Sequence, residues 1–202
     1  MAGNTLRKAA RLAAVGALLY AARRYYHNWG TTKEEYRRWL PGDELMYRPS
    51  VWSTTGVWID APVSAVWPWM LQIGHQNADS LDPEWHRLEP GDVVRLTPKG
   101  WMGLRDGLTM TVAQVVDDEA VVLRGRPPGF PWEAVWTFHV EPRWEDRCRL
   151  LARTRAQLHH PGDLLLTELA GPITALFMRR TLLTIKRRAQ DSLKAAELER
   201  AV

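Results

Sequence analysis

The chain of 202 residues is long enough for one domain with a hydrophobic core plus an extension, but too short for two domains of ordinary size. Its 27 basic and 23 acidic side chains leave a net charge of +4, a mild excess that does not by itself require a nucleic-acid partner. The single cysteine, Cys148, excludes an internal disulfide framework and a cysteine-rich zinc site, and it favours a reducing compartment such as the cytoplasm.

Residues 1–28 place basic side chains on both sides of a short uncharged stretch, residues 12–22. Such a stretch rises about 17 Å as a helix, well short of the roughly 30 Å hydrocarbon core, so an ordinary membrane span is not expected. A signal peptide is disfavoured because two arginines close the stretch without a small-residue cleavage site. Three interpretations stay open: a helix that packs on the domain or extends into solvent, a peripheral anchor on the inner face of a membrane, and a membrane span despite the short apolar stretch.

Residues 29–50 are predicted to be a connector with a short helix, because Thr32 and Glu35 have the spacing of a capping box. The domain proper is assigned to residues 51–197. Alternating apolar side chains predict a first strand at Val51–Ile59, and proline followed by an apolar stripe predicts a helix at residues 63–73. Five further strands are predicted at residues 93–96, 108–116, 120–123, 132–140 and 148–156.

The last predicted strand alternates basic and apolar side chains. Arg149, Arg153 and Arg155 point to one face, and Leu150 and Ala152 point to the other. This pattern predicts a basic outer face in solvent and a sheet that is covered on one side only.

One long helix pattern begins at Asp163 and continues to about residue 195. Gly171-Pro172 lies inside it, and proline removes a backbone donor there, so a break or kink is expected with the unbroken helix starting near Pro172. Both the strands and this helix must bury an apolar face. The predicted fold is therefore α+β, with a curved antiparallel sheet wrapped around the C-terminal helix and a cavity between them.

The order of these elements resembles a known superfamily. The first strand is followed by Ile59-Asp60-Ala61-Pro62 and a helix with Val66-Trp67-Pro68-Trp69, and the terminal helix contains Ile185-Lys186-Arg187-Arg188-Ala189. Together with Trp29-Gly30-Thr31 and Leu40-Pro41-Gly42-Asp43-Glu44-Leu45, these segments resemble actinobacterial-type members of the START-like superfamily (SRPBCC). That superfamily contains polyketide cyclases, dehydrases and lipid-transport proteins. The resemblance covers residues 29–192.

This resemblance implies the helix-grip fold with an apolar cavity between the sheet and the terminal helix. Cavities of this kind hold a lipid, a polyketide, a sterol-like or an aromatic molecule, and the resemblance does not imply catalysis. Related chains carry an aromatic-rich insertion after the segment that matches Gln72-Ile73-Gly74, whereas this chain continues directly into His75. The resemblance therefore also implies that one wall of the pocket is missing.

The ligand-binding candidates are large apolar residues on the inward faces of the predicted strands and terminal helix. They are Met110, Trp136, Phe138, Ile173 and Phe177. Eleven tryptophans against three phenylalanines also favour a roomy apolar pocket or an edge that faces a membrane. No cofactor and no metal ion is predicted.

Acid–base and metal chemistry has weak candidates. His75 and Asp79 have the spacing of one helix face but lie in a predicted hydrated loop, and His159-His160 lacks further metal ligands nearby. His139 and Glu141 share one face of a strand whose other face carries large aromatic residues, so His139 is expected in solvent. A paired-carboxylate signature, a nucleophile elbow and a phosphate loop are all lacking from the sequence, and no catalytic residue is assigned.

The preferred interpretation is a non-catalytic protein that binds or transports a small hydrophobic molecule. One alternative is a cyclase or dehydratase that uses the same cavity, and another is an accessory protein that holds a protein partner through a sheet edge or through residues 126–131. The basic terminal helix is interpreted as a solvated surface and not as a nucleic-acid site, since no aromatic-basic RNA motif accompanies it. The oligomeric state stays open.

Overall fold

A computed structural model describes residues 2–74, 87–100, 105–125, 132–158 and 163–200. The helices are α1 (Ala2–His27), α2 (Lys33–Arg37), a 3-10 helix (Asp43–Met46), α3 (Val63–Leu71) and α4 (Asp163–Arg200). The strands are β1 (Val51–Ile59), β2 (Val93–Arg95), β3 (Thr109–Val116), β4 (Ala120–Gly125), β5 (Trp132–Trp144) and β6 (Arg147–Leu158). The division into residues 1–28, 29–50 and 51–197 remains a prediction.

The strands form one antiparallel sheet in the order β1-β6-β5-β4-β3-β2. The first strand pairs with the last along the whole length of β1, from Val51 opposite Ala156 to Ile59 opposite Cys148. A shift in register between Val112 and Gln114 leaves one residue of β3 unpaired, and such bulges bend a sheet. The predicted α+β architecture, a curved antiparallel sheet with a long terminal helix, is confirmed.

The hydrophobic core lies between the inner face of this sheet and helices α3 and α4. The helix α4 contributes residues spaced by three and four positions, which all fall on one face of a helix: Met178, Leu182, Ile185 and Ala189. The helix α3 contributes Val66, Trp69 and Met70. These side chains meet Phe138 and Leu150 of the sheet, so the inner face is closed by the two helices.

The break expected at Gly171-Pro172 is wrong, because α4 continues through Pro172 as one helix. Proline in a helix interior costs about 3 kcal/mol, and the core contacts of Met178, Leu182, Ile185 and Ala189 further along α4 offset this cost. Gly171 lies against α1, where an added Cβ would be 3.3 Å from Tyr26 Cε2. The glycine therefore allows the close approach of α1 and α4.

The connector, residues 29–50, crosses the outer face of the sheet, which is the face opposite α4. The predicted capping box is present, since Glu35 N donates to Thr32 Oγ1 at 3.1 Å and Thr32 N donates to Glu35 Oε2 at 2.8 Å. Further along, Thr137 Oγ1 donates to Pro41 O at 2.9 Å. Gly42 has a φ of 86°, and a Cβ there would lie 2.5 Å from Val122 Cγ1, so this close crossing requires glycine.

The prediction that the arginines of β6 point into solvent is wrong. Arg149 and Arg153 are each 2% exposed, because the connector covers them. Arg149 makes a bidentate pair with Glu35, with Nε 2.7 Å from Oε1 and Nη2 2.9 Å from Oε2. The sheet is therefore covered on both faces, and the basic residues of the outer face are buried with carboxylates from the connector.

All five N–H donors of Arg153 have an acceptor. Besides Thr54 Oγ1 on β1, the acceptors are Asp43 Oδ2 and the carbonyl oxygens of Glu35, Tyr36 and Arg38. Those carbonyls lie at the end of α2, where helical partners are lacking, so the guanidinium also caps this helix. Arg155 adds a second cation beside Asp43, with Nε 2.8 Å from Oδ1.

We expect Arg153→Met to lower the free energy of unfolding by about 3–5 kcal/mol, because it breaks a buried ion pair with Asp43 and also removes the donor to three carbonyl oxygens at the end of α2. Urea unfolding followed by circular dichroism measures the loss. The control is Arg124→Met, which breaks the surface pair of Arg124 with Glu133 and should cost about 0–1 kcal/mol. Equal losses for the two variants would contradict the buried network.

The same network predicts a loss of stability in acid. Burial by itself raises the pKa of Glu35, but hydrogen bonds from Arg149 and Thr32 and the charges of Arg149 and Arg38 bring the pKa below its ordinary value of 4.5. The stabilisation is therefore complete above that value and is lost as the pH falls through the lower pKa of the folded state. Unfolding free energies measured from neutral pH into acid should fall less steeply for Glu35→Gln. An unchanged slope would be evidence against this role.

Candidate functional site

The five predicted ligand-binding residues divide into two groups in the structure. Met110, Trp136 and Phe138 are buried on the inner face of the sheet, whereas Ile173 is 42% exposed on α4. Phe177 lies between these groups, with its ring centroid 5.8 Å from that of Trp136. The fold thus brings Trp136 and Phe177 into contact and leaves Ile173 at the surface. Ligand binding by the five residues remains a prediction.

A groove of about 1100 Å³ follows α4 on the side next to β2. One wall is the helix, and the other is formed by residues 95–98 together with Gly74 at the end of α3. We call it the α4 groove. Its apolar lining consists of Leu96, Leu176, Phe177 and Leu183, with Pro98 at the rim. Phe177 therefore belongs both to the groove and to the contact with Trp136.

Five arginines line the same groove: Arg95, Arg179, Arg180, Arg187 and Arg188. Two of them lie over indole rings, with the guanidinium of Arg179 4.3 Å from the ring centroid of Trp29 and that of Arg188 5.3 Å from Trp69. Arg95 Nε donates to Asp106 O at 3.1 Å. The groove therefore combines an apolar surface with concentrated positive charge.

This groove was not predicted from the sequence, in which the basic residues of α4 are interpreted as a solvated surface. A usable signal was present. Leu176, Arg180, Leu183 and Arg187 are spaced by four, three and four residues, so they lie on one face of the helix, away from Met178 and its core neighbours. Such a face with both leucine and arginine differs from an ordinary charged surface.

The acid–base candidates lie elsewhere. His139 is 7% exposed on the outer face, so its expected position in solvent is wrong. Strand alternation correctly separates His139 from Phe138, but the connector covers the outer face. Burial and the charge of Arg38 lower the pKa of His139 against the opposing effect of Glu141 and Glu119, so the imidazole is neutral at pH 7. Glu141 accepts from Arg38 Nη1 at 2.8 Å. The sheet separates this pair from the α4 groove.

The remaining candidate residues lie either in the core or outside the described residues. Burial raises the pKa of the Cys148 thiol to about 12, so this core residue is not a nucleophile at neutral pH. His75, Asp79 and His159-His160 lie outside the described residues. The same holds for residues 126–131 and for the position after Gly74 where the pocket wall was expected to be missing.

No protein-family model and no curated protein sequence matches the chain. Solved structures with a similar fold include a point mutant of norcoclaurine synthase from Thalictrum flavum in complex with a transition state analogue. It is 16% identical, with a TM-score of 0.50 over 70% of this chain and 95% of that chain.

Two further structures are more distant. The di-domain ARO/CYC protein BexL is 14% identical with a TM-score of 0.47, over 69% of this chain and 46% of that chain. A conserved protein from Geobacillus kaustophilus is 11% identical with a TM-score of 0.49, over 70% and 97%. At 16% identity, the likeness to norcoclaurine synthase establishes the fold alone. Sheet order, terminal helix and the match to norcoclaurine synthase agree: the chain has the START-like helix-grip fold that its sequence resembles.

Proposed function

We propose that the protein binds a small hydrophobic molecule, such as a lipid, a polyketide or an aromatic compound, that enters from the α4 groove towards the interface of sheet and helix. The observation that carries this proposal is the position of Phe177. Its ring lines the groove and also contacts Trp136 of the sheet. A volume of about 1100 Å³ supports a ligand of lipid or polyketide size, since pockets for drug-sized molecules have roughly 300–1,000 Å³.

The lining chemistry favours binding or transport over catalysis. Among the described residues, the side chains of the groove are apolar, arginine or threonine, without histidine or carboxylate. A cyclase that moves protons needs an acid or base within reach of its substrate. Norcoclaurine synthase shows that the fold can hold a transition state analogue, but the activity of one member does not transfer with the fold.

We expect Phe177→Ala to weaken binding of the uncharged dye Nile red about ten-fold, because loss of a buried aromatic contact removes about 1.4 kcal/mol or more. The measurement is a fluorescence titration of the full chain. Leu198→Ala is the matched control, since Leu198 is an exposed apolar residue further along the same helix. Equal effects of both substitutions, or no binding by the unaltered protein, would contradict the proposal.

Mass spectrometry of small molecules extracted from the purified protein would identify the natural ligand.

We also propose that α1 attaches the protein peripherally to the cytoplasmic face of a membrane. Within the part of the chain that the structure describes, each helix is too short or too polar to cross a bilayer. The helix α1 nevertheless exposes apolar and aromatic side chains, namely Val15, Leu18, Tyr20 and Tyr25. Exposed basic residues flank its uncharged stretch on both sides: Arg11, Arg23 and Arg24. Each basic residue near an anionic leaflet contributes about 1 kcal/mol, while the apolar side chains bury at the headgroup boundary.

This attachment is expected to depend on salt. Full-length protein should sediment with phosphatidylserine-containing vesicles at low ionic strength and be released at high ionic strength, because screening weakens the attraction. A variant without residues 1–24 should stay in the supernatant with an unchanged circular dichroism spectrum. It keeps His27, whose Nδ1 lies 3.0 Å from Trp52 O, and Tyr26. If the full-length protein stays in the supernatant with these vesicles at low salt, the proposed attachment is wrong.

A further inference from the structure

We propose that the α4 groove selects a small amphiphilic acid: its carboxylate lies among the arginines, and its apolar body lies against Leu176, Phe177 and Leu183. This inference rests on the proposed binding function and adds the charge class of the ligand. An uncharged hydrophobic molecule would satisfy the binding function but would leave the arginines unused.

Helix α4 has a second, exposed face that carries both leucine and arginine residues. Helix α4 buries one apolar stripe against the sheet, yet Leu176 is 66% exposed and Leu183 is 42% exposed on another face. Arg180 and Arg187 alternate with these leucines at helical spacing and are also exposed. This face therefore offers an apolar strip that is interrupted by cations about two turns apart, which complements a molecule with an apolar body and one charged end.

Helix α4 carries an excess of positive charge beside the groove. Between Gly171 and Leu193, α4 contains five basic residues and one acidic residue, Asp191. Among the described residues, no carboxylate lies within ion-pair distance of Arg179, Arg180 or Arg187. A concave surface lined by charges of one sign raises the local concentration of the opposite ion. Guanidinium groups also bind carboxylates through two parallel hydrogen bonds, which adds geometric selectivity.

Several arginine side chains of the groove are held in place by contacts within the protein. Trp29 lies under Arg179, Trp69 lies under Arg188, and the carbonyl oxygen of Asp106 accepts from Arg95 Nε. These contacts hold cations on both walls of the groove before any ligand arrives. Because fewer side chains then lose freedom on binding, more of the attraction appears as affinity.

The test compares dodecanoic acid with dodecanol by calorimetric titration of the full chain below the micelle concentration, with acetate as a third probe. The acid should bind about ten-fold or more tightly than the alcohol, as expected when one charge-assisted contact is worth about 1.4 kcal/mol. Acetate should not bind measurably, because it lacks the apolar body. The double variant Arg180→Gln, Arg187→Gln should lose the preference for the acid and keep the affinity for the alcohol.

Two further variants make the outcome decisive. Lys194→Gln removes an exposed positive charge from the same helix outside the groove and should keep the preference. Arg95→Gln changes the opposite wall and replaces the double variant if the latter loses its circular dichroism signal. Equal binding of acid and alcohol by the unaltered protein overturns this inference and leaves the proposed function standing. Binding of neither overturns both, and a preference that survives the groove substitutions overturns the assigned site.

Discussion

The pairing of two arginines with two carboxylates between β6 and the connector is the constraint on which the arrangement of this protein depends. Arg149 and Arg153 lie in the middle of a covered sheet face, where an unpaired charge would be very unfavourable, and Glu35 and Asp43 lie opposite them. Side chains of a strand alternate in direction, so a shift of one residue in β6 would carry both guanidinium groups into the apolar core. The pairs therefore tie the position of the connector to the register of the sheet.

With the outer face covered by the connector and the inner face by α3 and α4, both faces of the sheet are occupied. Along the flank of α4, Leu176 and Leu183 meet solvent beside the groove arginines. Hydrophobic and cationic groups are thus accessible together on this side of the helix. A rigid sheet behind Phe177 also gives this surface a fixed position, which a binding site requires.

The arginines on the two sides of the sheet have different surroundings. On the outer face Arg149 pairs with Glu35, and Arg153 and Arg155 pair with Asp43. The neutral imidazole of His139 is buried on the same face. Among the described residues, the α4 groove is lined by five arginines and no carboxylate, and two of these arginines, Arg179 and Arg188, lie over indole rings. The first arrangement ties the connector to the sheet, and the second is the basis of the proposed ligand selectivity.

Local patterns in the sequence determined most of the elements: alternation placed β1 at Val51–Ile59, and Thr32 with Glu35 marked the start of α2. Tertiary structure decided which faces meet water. Alternation reports only that Arg153 and His139 point away from Phe138, and the segment that covers them is distant in the chain, with Glu35 and Arg149 114 residues apart. The α4 groove likewise joins helix α4 to residues 95–98, which no spacing within the helix can reveal. Burial is a property of long-range contacts, so it follows from the fold and not from a local period.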